Sequence, residues 1–599
     1  NHMRQNLILR IRQHKLLIIY TIFLALSFLT VLPFWLTMHL YSGPDLQFHL
    51  SRIQEVFYNF KNGVFISHIA TQTFNQIGDA VVACYPWVWL YLFSGLKFFL
   101  SPINAIYFAY VIVIFVTLII SYYSMKWVSA STKIAFCFAI LYGLTTYLIM
   151  EIINTQFGEF LSYPFIPLAF SGIYQIMFKD YKRWYLLVIG VTGVMYAHAP
   201  TTLITIIALL IFYILLFTKQ SKGERLIRFI YIGIAAIYSL LLGFIVWGPL
   251  AYLTLSQKLM RPAPQSLYAD PQNLFNLFNQ GITNKGMGLI LLLLLVFGFL
   301  FIKEMPIIGR YTYWSGIITL FVLSNLFPWN IINHIPLIKG IDSIQSGHRI
   351  MPIFLMFIAA FGAYFFTTKF PFHWVSTSLI IVIFSLCLIN SFDYSALYSM
   401  NITTDQNPFD NQFNRTSQPE LSYKATPTHQ IPRGDLNLQN YKVNNHDYTN
   451  QFPTENGSGT TDYLPTSSVK YIDDLANKIA ILNGKKFNIS SSSINAGSNM
   501  INYHLLIPMT KNTNLDLPFI HYKGMIYTIK FNGHTLKHPM TSNRGTLEIK
   551  IPQNVRSAQI SIQSHGSKFN NFFIVTSVLS WLVLLGYIIL KKDRDRVRL

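Results

Sequence analysis

The sequence predicts a polytopic α-helical membrane protein with about 12 transmembrane helices and an extracytoplasmic β-rich, sandwich-like domain before the last of them. Three observations lead there. Of 599 residues, 52% are hydrophobic and only 12% charged, against about 25% charged in an ordinary soluble protein. Apolar runs of the roughly 17–25 residues that cross a bilayer recur along the chain. One long polar stretch, 392–568, stands before the final apolar run.

Spans are expected near 16–38, 103–125, 134–152, 160–178, 184–198, 200–218, 228–254, 287–303, 311–328, 350–367, 374–391 and 571–590. The first is too long for a signal peptide and lacks a small-residue cleavage site, so it stays as an anchor. Arg4, Arg10, Arg12 and Lys15 precede it and place residues 1–15 in the cytoplasm. The loops that then face inward carry Lys126 and Lys133, Lys179 to Arg183, Lys219 to Arg228, Lys303 and Arg310, and Lys369. All are basic, as is the 591–599 tail, so both termini are cytoplasmic in this scheme. The helical core is 16–391, and its first outer loop is 39–102. Within that loop Trp87 to Leu100 is apolar but only about 14 residues long, which suits an interfacial or re-entrant helix.

Residues 392–568 are rich in Asn, Ser, Thr and Gly. The first part, to about 460, has few periodic apolar runs. Alternation over 525–531, a turn signal at Asn532-Gly533, and alternation again over 546–551 and 558–562 predict strands.

The formal charge of +21 sits in short loops beside apolar spans, so it reads as orientation and headgroup contact rather than nucleic-acid binding. Cys84, Cys137 and Cys387 lie in or beside apolar segments, which rules out a disulfide framework or a cysteine zinc site in the polar stretch. There is no P-loop, no dinucleotide fingerprint and no His-Glu-x-x-His.

Polar residues near helix ends gather on the expected outer side. The first group follows Ser42-Gly43-Pro44, where Asp45, His49 and Arg52 fall at i, i+4 and i+7 of a helix. Leu46, Leu50, Ile53 and Phe57 line its adjoining face. Asp79, Tyr85, Glu151, Asn154, Glu159, Tyr163, His198, Asp342, Gln345, His348 and Arg349 complete the set. Ionisable groups at membrane depth usually mark a site. A carboxylate can take a proton from an attacking hydroxyl, and an arginine can neutralise a phosphate leaving group. Those are the minimum needs for moving a sugar from a phospholipid carrier outside the cell, where no nucleotide is at hand. Asp45 is the expected base, with Asp79 and Glu159 in reserve. Arg349 is the expected phosphate ligand, helped by Arg52 and His348. His49, Tyr85, His198, Gln345 and Tyr163 are expected to line the substrate. Each has a structural alternative: Asp79 capping the turn after Gly78, Glu159 in a first helical turn, His198 capping the next helix, and His348-Arg349 snorkelling. No cofactor and no metal ligand set is assigned, although Asp, His and Glu in proximity are the types that hold a divalent metal.

The stretch Gly43-Pro44-Asp45-Leu46-Gln47-Phe48-His49-Leu50-Ser51-Arg52-Ile53, with Asn62-Gly63-Val64, Gln76-Ile77-Gly78-Asp79 and Tyr85-Pro86, resembles the opening of bacterial multispanning proteins labelled "6-pyruvoyl-tetrahydropterin synthase-related". These are similar to YfhO-like proteins and to the GT-C glycosyltransferase superfamily. Ala197 to Thr201, Ile344 to Arg349 and Asp462-Tyr463-Leu464-Pro465 match in order, with Ser346-Gly347-His348 standing where the family has Phe-Pro-Trp. The pterin label is not carried over, because no zinc-histidine set of that enzyme is recognisable.

The resemblance implies a GT-C-like core whose first outer loop carries the acid, placed on Asp45. It also implies a lipid-phosphate sugar donor and an inverting, metal-optional transfer. The expected protein is a polyprenyl-phosphate-sugar-dependent glycosyltransferase of a bacterial plasma membrane, with its site facing outside. Its partners would be the polyprenyl-phosphate donor, a cell-envelope (cell wall) polymer or lipid acceptor and membrane lipids, without nucleic acid. The rivals are a transporter or flippase of lipid-linked saccharides and a non-catalytic envelope scaffold.

Overall fold

The structure is a computed structural model that describes residues 15–41, 45–261, 272–332, 344, 346–400, 442–450, 461–507, 513–536, 539–552 and 555–597. Ser42, Gly43, Pro44, Asp342 and Gln345, named above, lie outside the described residues. The chain forms two compact units. The first comprises 1–39, 106–239 and 264–400, and the second comprises 40–105, 240–263 and 401–599.

Among the described residues nine helices are long and apolar enough to cross a membrane: Lys15–Trp35, Pro102–Ser129, Thr132–Ile153, Phe157–Phe178, Ala199–Lys219, Lys222–Ser256, Gly347–Lys369, Phe372–Phe392 and Asn570–Lys592. All nine coincide with expected spans. The other three expected spans fold as shorter helices, Tyr185–Met195, Leu289–Phe297 and Ile307–Leu323. At 1.5 Å per residue an 11-residue helix covers about 16 Å, roughly half the hydrocarbon core. After Phe297 the chain tightens into a 3-10 segment, Gly298–Glu304, where the sequence pattern alone shows only an unbroken apolar run.

Local chemistry sets the breaks in the first unit. Thr132–Ile153 is two helices, because Thr145 takes an extended backbone and its hydroxyl accepts Leu148 N–H at 3.3 Å, capping the second piece. Phe165–Phe178 and Tyr185–Met195 pack backbone to backbone. A Cβ on Gly172 would stand 2.2 Å from Leu187 N, and one on Gly190 would stand 2.4 Å from Ala169 N. Small residues permit that approach where the helices have no hydrophobic drive to associate.

In the second unit two five-stranded antiparallel sheets face each other. One runs Met540–Thr541, Thr546–Ile551, Thr513–Ile520, Ile479–Leu482, Lys485–Asn488; the other runs Ile494–Gly497, Met500–Leu506, Ser557–Ser567, Met525–Phe531, His534–Thr535. Leu515, Leu517, Phe519 and Ile549 of the first sheet share one core with Ile501, Tyr503, Ile529, Phe531 and Ile560 of the second. The result is the expected sandwich, placed before the last apolar helix. Asn532 and Gly533 both take positive φ, 47° and 84°, the geometry of a tight hairpin turn.

Residues 40–105 belong to this same unit. Asn499 Oδ1 accepts His68 N–H at 2.7 Å, Thr71 Oγ1 donates to Gly497 O at 2.6 Å, and Ile520 N–H donates to Ile77 O at 2.7 Å. Glu55 organises the loop from the helix Leu46–Lys61. Its Oε2 accepts the N–H groups of Gln72 (3.0 Å) and Thr73 (2.9 Å) and the Thr73 hydroxyl, while Oε1 accepts Thr71 N–H at 3.1 Å. Burial pushes this carboxyl upward, and those hydrogen bonds oppose the shift.

Candidate functional site

The expected site residues divide between the units. In the second unit Asp45 sits at the N-cap of Leu46–Lys61, where its carbonyl accepts His49 N–H at 3.0 Å. Leu46, Leu50 and Ile53 are buried as expected, which turns His49 and Arg52 inward as well. Arg52 is fully buried; its two Nη groups are engaged, while Nε has no hydrogen-bond partner among the described residues. One Nη donates to His49 Nδ1 at 3.1 Å, the other donates to Pro86 O, and the guanidinium lies 4.2 Å over the Tyr85 ring and 5.5 Å over Phe48. A guanidinium only donates, so Nδ1 accepts and His49 is the neutral tautomer with its proton on Nε2. Burial draws Arg52 down to about 10, and the two tyrosines Tyr85 and Tyr463 oppose the shift.

Tyr463 arrives from far along the chain. The segment around it pairs with residues just beyond Lys222–Ser256: Met260 N–H to Leu464 O at 2.7 Å, Tyr463 N–H to Met260 O at 3.0 Å. Tyr463 packs against the apolar cluster that contains Phe48, Phe74 and Val82, with its ring 6.5 Å from Tyr85. Beside it Asp462 is pushed up to about 6, first by burial and then by the charge of Asp45. The candidate site thus holds Asp45, His49, Arg52 and Tyr85, expected from sequence, plus Asp462 and Tyr463, which the sequence gives no role.

Asp79 is fully buried in the same unit. Its Oδ1 accepts Val81 N–H at 2.8 Å and meets the Tyr522 hydroxyl at 3.5 Å. Among the described residues Oδ2 has no hydrogen-bond partner. Desolvation holds its carboxyl well above the usual range, so Asp79 caps the turn after Gly78 as a buried acid.

In the first unit a second polar group forms at the ends of three of the apolar helices. Arg349 Nε donates to Glu159 Oε1 at 2.8 Å and one Nη donates to Ile344 O at 3.1 Å. His348 Nε2 stands 3.3 Å from Glu151 Oε1, and the Tyr147 hydroxyl reaches the His348 carbonyl at 3.4 Å. Two carboxylates, an arginine and an imidazole are thereby paired away from water. Tyr163 serves packing: it stacks on Tyr142 at 4.2 Å and its hydroxyl meets Thr145 Oγ1 at 2.8 Å. His198 is buried before Ala199–Leu216, with Nδ1 2.8 Å from Thr201 Oγ1. Its ring fills the space over Gly158, where any Cβ would approach to 2.5 Å. Glycine there lets the imidazole lie against the residue preceding Glu159. Glu151, a polar residue near the end of an expected span to which the sequence assigns no role, joins this group through His348.

Among the described residues no group of three or more His, Cys, Asp or Glu side chains is arranged to hold a metal.

These features define a multi-pass membrane protein carrying a β-sandwich ahead of its last apolar helix. No protein-family model matches the chain, and no curated protein matches it. Among solved structures it is similar to the cryo-EM structure of the arabinofuranosyltransferase AftD from mycobacteria, at 9% identity and a TM-score of 0.41 over 92% of this chain. The chain spans 40% of that structure's length. A likeness at this level establishes neither a shared fold nor a shared activity.

Proposed function

We propose that the protein is a GT-C-type membrane glycosyltransferase. It moves a sugar from a polyprenyl-phosphate donor to a cell-envelope acceptor (teichoic acid, polysaccharide or glycolipid) on the outer face of the plasma membrane. Asp45 accepts the proton of the acceptor hydroxyl as that oxygen bonds to the anomeric carbon. The anomeric carbon–oxygen bond to phosphate breaks, and its electron pair leaves with the phosphate. The observation that carries the reading is the gathering of polar side chains in one unit: Asp45, His49 and Arg52 lie at the cap of, or on, a helix that is not one of the candidate spans, and Tyr85, Asp462 and Tyr463 come from other segments of the same unit. Donor phosphate is assigned to Arg349, with His348, or to Arg52. Because Arg349 is bonded to Glu159, phosphate binding there exchanges one carboxylate oxygen for a phosphate oxygen. His49, Tyr85, His198, Tyr163 and Gln345 are assigned to substrate contact or its support.

The test is transfer of labelled sugar from synthetic polyprenyl-phosphate sugars in detergent, comparing native protein with Arg349→Ala and Arg52→Lys. Loss of turnover in a folded Arg349→Ala, with Arg52→Lys active, assigns the phosphate to Arg349; loss in an Arg52→Lys protein that is still folded, with Arg349→Ala active, assigns it to Arg52.

A second reading, transport of lipid-linked saccharides, is favoured by the Glu151, Glu159, His348 and Arg349 group at the ends of three candidate spans. It predicts donor binding and movement across a vesicle membrane without any transfer product.

A further inference from the structure

We propose that the turn joining Ala199–Lys219 to Lys222–Ser256 is a headgroup site for an anionic phospholipid, held by Gln220 and Arg225. The site is independent of the transferase reading. Both helices are long and apolar enough to cross a membrane, and only Gln220 and Ser221 separate them, so the turn lies at a membrane surface.

A glutamine at such a turn is ordinarily exposed. Gln220 is 4% exposed, and neither its Oε1 nor its Nε2 has a hydrogen-bond partner among the described residues. Arg225 is fixed beside it. One Nη donates to Thr218 O at 3.0 Å and to Gln220 O at 3.4 Å, and the guanidinium lies 5.0 Å over the Phe217 ring. Its Nε is buried and likewise has no partner among the described residues, as does the hydroxyl of Tyr213, whose ring is 5.6 Å from that of Phe217. Buried polar groups in folded proteins are almost always bonded. This set suits a ligand that brings acceptors and a donor together. A phosphodiester bearing a hydroxyl does so: its oxygens accept from Gln220 Nε2 and Arg225 Nε, and its hydroxyl donates to Gln220 Oε1.

The surroundings favour a lipid as the source of that ester. Arg228 donates to Glu224 at 2.6 Å and to the Lys179 carbonyl at 3.3 Å, which brings the 179–183 loop to the turn. Lys179, Lys182 and Arg183 thereby join Lys219 and Lys222, while Asp180 and Glu224 are each paired to an arginine. Such a cationic collar attracts anionic headgroups. Ile214, Leu215, Leu226 and Phe229 flank the turn, each more than half exposed, and offer a surface to acyl chains.

The test takes the full chain, delipidated in detergent, and follows native mass spectra and thermal unfolding with dioleoyl phosphatidylglycerol, dioleoyl phosphatidylcholine or glycerol phosphate. One phosphatidylglycerol per chain is expected to be retained and to raise the unfolding midpoint, with no response to the other two. Gln220→Leu, apolar and of similar size, is expected to unfold no lower than the native protein without lipid and to bind phosphatidylglycerol about tenfold more weakly. Arg225→Met is expected to weaken binding to a similar degree. Lys219→Gln, which removes only an exposed charge, is expected to change binding by less than about twofold. Native-like binding in Gln220→Leu overturns the inference, as does equal binding of phosphatidylcholine. A loss in Lys219→Gln as large as in Gln220→Leu also overturns it, because it shows a diffuse charge effect. An equal response to glycerol phosphate overturns the lipid assignment and gives the site to a soluble phosphate ester.

Discussion

The Arg52 guanidinium lies 4.2 Å over the Tyr85 ring while its two Nη groups bond His49 and the Pro86 carbonyl. One buried cation thus fixes the helix that begins at Asp45 to the loop that ends at Pro86. A planar fork and a stacking face are both required, and lysine offers neither. Arg52→Lys is expected to destabilise the protein by about 2–4 kcal/mol, because the remaining partners stay buried without their donors. Thermal unfolding in detergent checks this; an unchanged midpoint contradicts it.

Arg349 and Glu159 form a pair whose side chains are 16% and 6% exposed. Removing either partner leaves the other charge poorly solvated, so each single alanine variant is expected to be less stable than the double variant requires by addition. A double-mutant cycle is expected to give a coupling of about 1–3 kcal/mol. Additive losses contradict the pairing.

Asp79 is expected to behave as a cap and not as a base. Its Oδ1 is the acceptor for Val81 N–H, and asparagine keeps that oxygen. Asp79→Asn is expected to retain turnover within about twofold. The pH sign follows from the upward shift of the buried carboxyl: the folded state holds a proton that the unfolded chain gives up. Stability from this group is therefore present at low pH and falls as pH rises above the ordinary aspartate range. Asp79→Asn removes that fall, so its advantage over the native protein grows toward neutral pH. Unfolding midpoints measured at several pH values read the slope directly.

Within the sandwich, Arg544 Nε donates to Asp516 at 2.8 Å with both side chains nearly enclosed, and Thr546 bonds the same carboxylate. Arg544→Met is expected to cost about 3–5 kcal/mol, since it strands Asp516 in the core. Replacing both Asp516 and Arg544 with apolar residues of similar volume is expected to recover most of that loss. Loss of the β signal by circular dichroism in the single variant, restored in the double, is the readout.

Much of the fold was legible because membrane helices and half-buried strands each carry a one-dimensional signature. Apolar runs located the helices, and alternation located Met525–Phe531, Thr546–Ile551 and the core of Ser557–Ser567. Thr513–Ile520 escaped because it is an interior strand, buried at seven of eight positions, and so does not alternate. The membership of 40–105 in the sandwich's unit was also invisible. It rests on contacts such as His68 to Asn499, which join residues hundreds of positions apart. At the site, helix spacing correctly put His49 and Arg52 on one face. Tyr463 cannot be placed beside Tyr85 from helix spacing, because its segment is positioned by pairing with residues 258–260.

The most direct measurement is single-turnover sugar transfer from a polyprenyl-phosphate donor by native protein and by Asp45→Asn. Asparagine caps a helix as well as aspartate does, so the variant is expected to fold with an unchanged unfolding midpoint. The account predicts a loss of at least about 100-fold in the transfer rate with donor binding intact. A folded Asp45→Asn protein that transfers sugar at the native rate would contradict it.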